Sequence, residues 1–351
     1  MPSTTWVEVS VSALQENLRA VARYAGVPIC AVVKANGYGH DAAIAARAFV
    51  DAGASMIGVT RLEEARAIRD AGVDAPTLIF MPVPDVSEAV ALGCEITVGS
   101  IDDIANLPAA ARVHLKVDTG MGRIGILPDE ALDAARAIAG RATLSGVWTH
   151  FADAAGSTGA MQLERFRSVV TSLRHAGIEA SAHASNSAAI LALPGARFDM
   201  VRAGTMLYGQ DPAGARVPWT MQDTFAWFAR VVAVRSLPAG ATVGYGSEWR
   251  ARDAVRVATL PIGYADGFTL EPNARTPSPL AAARKAAGSL RARGAGRSVE
   301  FGERRAPVIG RVGMQAITVS LEGLADIHAG SIARVPARRL AVGSHIPRIP
   351  V

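Results

Sequence analysis

Between residues 11 and 205 the chain repeats one theme: a short apolar run, a turn, then a segment with apolar residues at helical spacing. The runs are ICAVVK, MIGVT, TLIFM, EITVG, RVHLKVD, LSGVWTHF, ASAHAS and FDMVRAG, eight in all. Short, nearly unbroken apolar runs belong to strands buried on both faces, as in a parallel sheet covered by helices. Eight such strands alternating with helices predict a (β/α)₈ TIM barrel, an α/β fold, over residues 11–223. A doubly wound sheet is the alternative, but no G-x-G-x-x-G follows the first strand.

The helical segments carry their own punctuation. SALQENLRAVARYAG predicts a helix capped by Ser12 with Gln15, with Leu14, Leu18 and Val21 on one face and Gly26 as its stop. TRLEEARAIRDAG repeats the device with Thr60, Glu63 and Gly72. Past about residue 223 the pattern changes. FARVVAVRSLPAGATVGYGSEWRARDAVRVATLPIGYADGF and APVIGRVGMQAITVSL are rich in Val, Thr, Tyr and Gly and lack a helical period. They predict a mostly antiparallel β domain over 224–351, which the early strand 5–10 is expected to join.

Half the residues are hydrophobic and 19% are charged, enough for a packed core and against overall disorder. The net charge of +5 is spread thinly, apart from Arg284, Lys285, Arg291, Arg293 and Arg297 in the basic stretch 270–298. That stretch reads as a solvated loop, not a nucleic-acid site. Cys30 and Cys94 form neither a disulfide framework nor a metal-ligand spacing. No apolar run reaches the roughly eighteen residues of a membrane span, and MPSTTWVEVS lacks the plan of a secretory signal, so the expected location is cytoplasmic.

In a (β/α)₈ barrel, catalytic groups gather where the strands end. Lys34 stands at the end of the first strand, inside AVVKANGYGH. The fifth leads through Lys116 and Asp118 to Arg123, the sixth to His150, the seventh to Ser185, Asn186 and Ser187, and the eighth to Arg202 and Gly204. Several cations around one rim imply an anionic ligand, and RAGTMLYG resembles a turn whose backbone N–H groups hold phosphate. A partly desolvated lysine among cations has a lowered pKa and suits imine formation. Barrel, lysine and phosphate turn together suggest pyridoxal phosphate (PLP). Taken singly, Lys34 reads equally as a strand-end lysine, His150 as a core histidine, Arg123 and Arg202 as ion-pair partners and Tyr245 as a sheet tyrosine.

AVVKANGYGH, HLKVDTGMGRIG, THFADA, ASNSAA, VRAGTMLYG, GYGSEW, PIGYADGF and GRVGM, in this order, resemble the alanine racemases, PLP enzymes of fold type III. The resemblance spans nearly the whole chain. It implies that Lys34 links to the cofactor and that Tyr245 is the second catalytic base, supplied across a homodimer with shared active sites. Arg202 would face the pyridine nitrogen, His150 would sit between Arg202 and Tyr245, and Arg123 would contact the cofactor and the substrate carboxylate. Tyr38, Ser187, Gly204 and Thr205 would hold the phosphate, with Asn186 beside them. The backbone N–H of Met314 would help hold the carboxylate, and Lys116 would be carbamylated. The implied reaction is interconversion of L- and D-alanine, supplying D-alanine for peptidoglycan.

Two departures bear on specificity. Gln315 stands where the family usually has aspartate, and no tyrosine follows Tyr264, although the family carries one near its C-terminus that touches the phosphate. A wider entrance and a broader alanine and serine racemase, or a weakly active PLP-binding relative, are the alternatives. A PLP decarboxylase of the same architecture is the nearest rival. It would need a carboxylate where Arg202 stands and a cysteine in the β domain.

Overall fold

The computed structural model describes residues 3–212, 215–269 and 297–351. The basic stretch 270–298 lies outside the described residues except for its last two. The chain divides into two compact units, Ser10–Thr224 and a second that combines Met1–Val9 with Phe225–Val351.

In the first unit, eight parallel strands form one sheet. The order is Ser181–His183, Thr143–Trp148, Arg112–Lys116, Cys94–Val98, Thr77–Ile79, Met56–Val59, Ile29–Val32 and Val201–Ala203. The first strand in sequence, Ile29–Val32, therefore pairs with the last, Val201–Ala203. The remaining seam is bridged by backbone bonds, Asp199 N–H to Ala182 C=O and Arg202 N–H to Ser185 C=O. The result is the predicted barrel. Ile29–Val32, Thr77–Ile79 and Cys94–Val98 are buried at every position, which explains their mostly apolar make-up.

The second unit holds a nine-stranded, mostly antiparallel sheet. Its strand Phe225–Arg230 alternates buried and half-buried residues, the mark of a sheet covered on one face. Thr5–Val9 pairs antiparallel with Phe225–Arg230 and parallel with Arg348–Pro350. No helix among the described residues is long and apolar enough to cross a membrane. Cys30 and Cys94 are free and buried, and burial pushes the Cys30 thiol up to about 12.

Both capping expectations need correction. The helix Val11–Ala25 begins one residue before Ser12, and Ser10 is the cap: its hydroxyl accepts the Ala13 N–H at 3.3 Å. In the second case the helix is Leu62–Asp70 with Arg61, not Thr60, at the cap position, and the carboxylate that accepts the Thr60 and Arg61 N–H groups is Glu64, not Glu63. An N-cap is the residue whose side chain accepts an N–H from the first turn ahead of it, and neighbouring candidates of the same type look alike in sequence. Replacing Ser10 by alanine is expected to lower unfolding free energy by about 1 kcal/mol. The Ser12→Ala change should leave it within about 0.5 kcal/mol of wild type in urea denaturation.

Candidate active site

Lys34 leaves the strand Ile29–Val32 into a turn of unusual hand. Ala35, Asn36, Gly37 and Tyr38 have φ of 54°, 53°, 62° and 52°, four left-handed residues in succession. Each left-handed residue with a Cβ is disfavoured by roughly 1–2 kcal/mol, so the turn needs outside support. Glu64 supplies much of it. One carboxylate oxygen accepts the Ala35 N–H at 2.6 Å, and the other accepts those of Thr60 and Arg61 at 2.8 and 3.2 Å. Asn36 Oδ1 accepts the Ala42 N–H at 2.9 Å. Gly37 is required twice over, by its φ and because a Cβ there would crowd Ala42 and Ala45. The Tyr38 ring stacks on Tyr208 at 4.6 Å.

A second loop positions Arg123. The strand Arg112–Lys116 ends just before Asp118, whose Oδ1 accepts the N–H groups of Gly120, Met121 and Gly122 at 2.8–3.1 Å. Its Oδ2 accepts that of Arg123 at 3.1 Å. Burial alone would raise the Asp118 pKa, but these four donors hold it below the ordinary range. They wrap the loop around one carboxylate. The sequence segment HLKVDTGMGRIG is thus a strand followed by an aspartate-centred nest.

Lys34, Lys116, Arg123 and Arg202 line one cavity of about 330 Å³, and among the described residues no carboxylate does. Tyr38, His150, Asn186, Ser187, Gly204 and Thr205 complete the set of sequence-predicted residues on its wall. Tyr38, Ser187 and Gly204 meet in one corner. The Gly204 N–H donates to Ser187 Oγ at 3.0 Å, and a Cβ on Gly204 would fall 2.4 Å from the Tyr38 hydroxyl. Burial raises the Tyr38 pKa, partly offset by its hydrogen bond to Thr205.

The cations perturb one another. The Lys34 amine is lowered by burial and then by Arg123, with Glu64 opposing. Lys116 is buried, its Nζ has no hydrogen-bond partner, and it lies 4.3 Å from the centre of the Trp148 ring. Burial and then Arg202 bring it down to about 7. His150 is held well below its ordinary value by burial and by Arg202, Lys116, Arg123 and Lys34, so its ring is neutral. Its two nitrogens each lie 3.4 Å from a donor, Arg202 Nη2 and Asn186 Nδ2. A neutral imidazole has one acceptor nitrogen, so it accepts from only one of them.

Arg202 Nη1 donates to His183 Nδ1 and His183 C=O, both at 2.9 Å, and Nη2 to the carbonyls of Thr149 and Ala184 at 2.6 and 3.0 Å. Its Nε–H is the donor without a partner among the described residues. A carboxylate-free cavity with four cationic side chains, a hydroxyl corner, a low-pKa amine and one unused guanidinium donor fits a phosphorylated pyridine aldehyde. PLP is therefore compatible with the residues present.

Comparison with known proteins decides the family. Residues 9–212 match the model "Alanine racemase, N-terminal domain" and residues 224–339 match "Alanine racemase, C-terminal domain". The chain belongs to the alanine racemase family. It is 40% identical to the alanine racemase of Symbiobacterium thermophilum over 75% of this chain and 74% of that one. With the alanine racemase of Desulfovibrio desulfuricans it shares 36% identity over 93% of this chain and 87% of that one. The solved alanine racemase of Clostridium difficile 630 superposes with a TM-score of 0.85 at 25% identity, covering 100% of this chain and 96% of that chain. A structure titled as the Bartonella henselae alanine racemase with covalently bound pyridoxal phosphate has a TM-score of 0.78 at 24% identity, with full coverage of both chains.

Among the sequence-predicted residues of this racemase, Tyr245 and Met314 belong to the second unit. Tyr245 opens a short turn, Tyr245–Ser247, and is 75% exposed. Met314 is exposed too, and its C=O accepts the Ala265 N–H at 3.0 Å. Sequence reasoning missed Glu64, Trp148 and His183. Glu64 was hidden beside Glu63 in the helix-start motif. Trp148 and His183 lay within strands read only for their apolar character, although a histidine in a barrel strand was itself a signal.

The Lys116 shift sets a pH dependence. Its folded pKa of about 7 lies below the unfolded value of 10.5, so between these the unfolded chain binds the extra proton. Stability therefore rises with pH across that window, and the lysine's penalty is fully present below it. In carbon-dioxide-free buffer, unfolding free energy is expected to climb between pH 7 and 10 more steeply for wild type than for Lys116→Met. Chemical denaturation across the range checks this, and parallel slopes would contradict it.

Proposed function

We propose that this protein interconverts L- and D-alanine with PLP by a two-base mechanism, as a homodimer that supplies D-alanine for peptidoglycan in the cytoplasm. The observation that carries the reading is the depressed Lys34 amine in a carboxylate-free, four-cation cavity. When bound, PLP supplies an electron sink for the pair left by the departing α-proton.

The residues divide the remaining work. Ser187 Oγ accepts the Gly204 N–H, which leaves its own hydrogen for a phosphate oxygen, beside the Tyr38 hydroxyl and Thr205. The unused Arg202 Nε–H would be the donor offered to the ring nitrogen. A guanidinium only donates, so that nitrogen stays unprotonated and the sink is weak. A weak sink favours prompt return of a proton over side reactions. Arg123, held by Asp118, pairs with the substrate carboxylate. His150, neutral and held beside Asn186, is the polar neighbour of the second base.

Racemisation removes the α-proton from one face and returns one to the other, so it needs two opposed bases. Lys34 Nζ serves one face and the partner subunit's Tyr245 Oη the other. A phenol has an ordinary pKa near 10 and needs cations nearby to act at neutral pH. Lys116, with a neutral amine near pH 7 and no hydrogen-bond partner, is suited to add carbon dioxide and lose a proton. The resulting carbamate would set a negative charge among Arg123 and Arg202.

A broader substrate range is the second reading. It is favoured by Gln315 and by the absence of any tyrosine after Tyr264.

Borohydride reduction of the PLP-loaded protein followed by peptide mapping is expected to leave the pyridoxyl group on the peptide containing Lys34. A label on another lysine would refute its role. Lys34→Ala and Tyr245→Ala proteins should each be inactive. After subunit exchange they should recover activity, since one hybrid site has both bases; confirmed exchange without recovery would refute the shared site. For the wider entrance, kcat/KM for L-serine is expected within about a hundredfold of that for L-alanine, the range of steric discrimination. A gap of thousands would show that something other than tyrosine closes the site.

A further inference from the structure

Behind Arg202, away from the cavity wall, three polar side chains from three strands of the barrel form a hydrogen-bonded column, reaching past the intervening strand Thr143–Trp148. Arg202 Nη1 donates to His183 Nδ1 at 2.9 Å. A guanidinium has no acceptor, so His183 Nδ1 carries no hydrogen and its proton resides on Nε2. That Nε2–H donates to His114 Nδ1 at 2.8 Å. His114 must then carry its own hydrogen on Nε2, and it donates this to Glu95 Oε2 at 2.6 Å. The other Glu95 oxygen accepts from Arg112 Nε at 3.0 Å. One donor-only group at the cavity thus dictates both histidine tautomers.

The fold makes room for the column. His114 and His183 are buried, and Glu95 is the one buried carboxylate among the described residues of the barrel unit. Gly146 lies mid-strand in Thr143–Trp148, and a Cβ there would fall 2.3 Å from His114 Nδ1. The Trp148 ring lies parallel to His183, 5° apart in plane and 5.9 Å between centres.

We propose that Glu95 is the counter-charge of Arg202, and that His114 and His183 are positioning residues that transmit it and hold the guanidinium with its Nε–H toward the cavity. Each imidazole presents its bare nitrogen toward Arg202 and its N–H toward Glu95. The two ring dipoles are therefore aligned to stabilise both charges, and in a low-dielectric interior such alignment is strong. The column is not a proton path. Burial lowers Arg202 only to about 10, so at neutral pH it keeps its proton and has no lone pair to take another.

The proposal builds on the racemase reading, and two measurements separate them. In PLP-loaded protein labelled with ¹⁵N-histidine at pH 7.5, ring nitrogen shifts should show both His114 and His183 as neutral Nε2–H tautomers. An Nδ1–H tautomer or an imidazolium at either position overturns the proposal. Glu95→Gln keeps an oxygen for His114 but removes the charge. Its kcat for alanine is expected to fall about 10- to 100-fold, the loss seen when groups that orient metal ligands are removed. KM should stay within about twofold, because Glu95 touches no substrate. An unchanged kcat, or a loss confined to KM, also overturns it. If Glu95→Gln fails to fold, the wild-type nitrogen shifts decide alone. Absence of alanine turnover in wild type refutes the racemase reading and leaves the tautomers to be judged by the shifts. Wrong tautomers in an active racemase refute this proposal only.

Discussion

Arg202 is a permanent cation at 4% exposure, and the barrel interior is arranged around its donors. A buried guanidinium needs acceptors, since an unpaired buried charge is strongly destabilising, and both terminal nitrogens of Arg202 find them within the barrel. Three of its acceptors are the carbonyls of Thr149, His183 and Ala184, where neighbouring strands end. The seam between Ser181–His183 and Val201–Ala203 has no strand ladder, and the bond from Arg202 to the His183 carbonyl crosses it. One side chain therefore helps to close the barrel and borders its cavity. Its charge also spreads outward, depressing His150, His183 and Lys116.

Lys34 depends on a different kind of support. The left-handed turn that carries it opposes the backbone preference of Ala35, Asn36 and Tyr38. Glu64 offsets this by accepting N–H groups from that turn and from the end of the next strand together. Asp118 plays the same part for Arg123. Two of the four cavity cations, Lys34 and Arg123, are thus presented by loops organised around a carboxylate outside the cavity. That arrangement leaves the cavity itself free of negative charge, which keeps the lysine amine low and an anionic ligand favoured.

The barrel was legible because strands covered on both faces are mostly apolar, and the eight runs keep to that pattern apart from the polar residues that serve the cavity and the column behind it. The rim cations were legible because they follow the runs directly. Helix starts were not: the reach of Ser10 and Glu64 depends on backbone angles that neighbouring Ser12 and Glu63 share in sequence but not in space. The hand of the turn after Lys34 was not legible in ANGY either. Three of its four left-handed residues are not glycine, and they hold that hand only because Glu64, Asn36 and the Tyr208 ring are in place.

By itself the sequence determined the strand count, the order of elements and which chemical groups stand at the strand ends, since these follow from local periodicity and adjacency. Only the tertiary structure decided that Glu95, His114 and His183, dispersed over 89 positions, align in one column behind Arg202. Alternation along a strand tells which face a side chain takes. The stagger between neighbouring strands sets which of those side chains meet across the barrel, and that stagger is a property of the closed sheet.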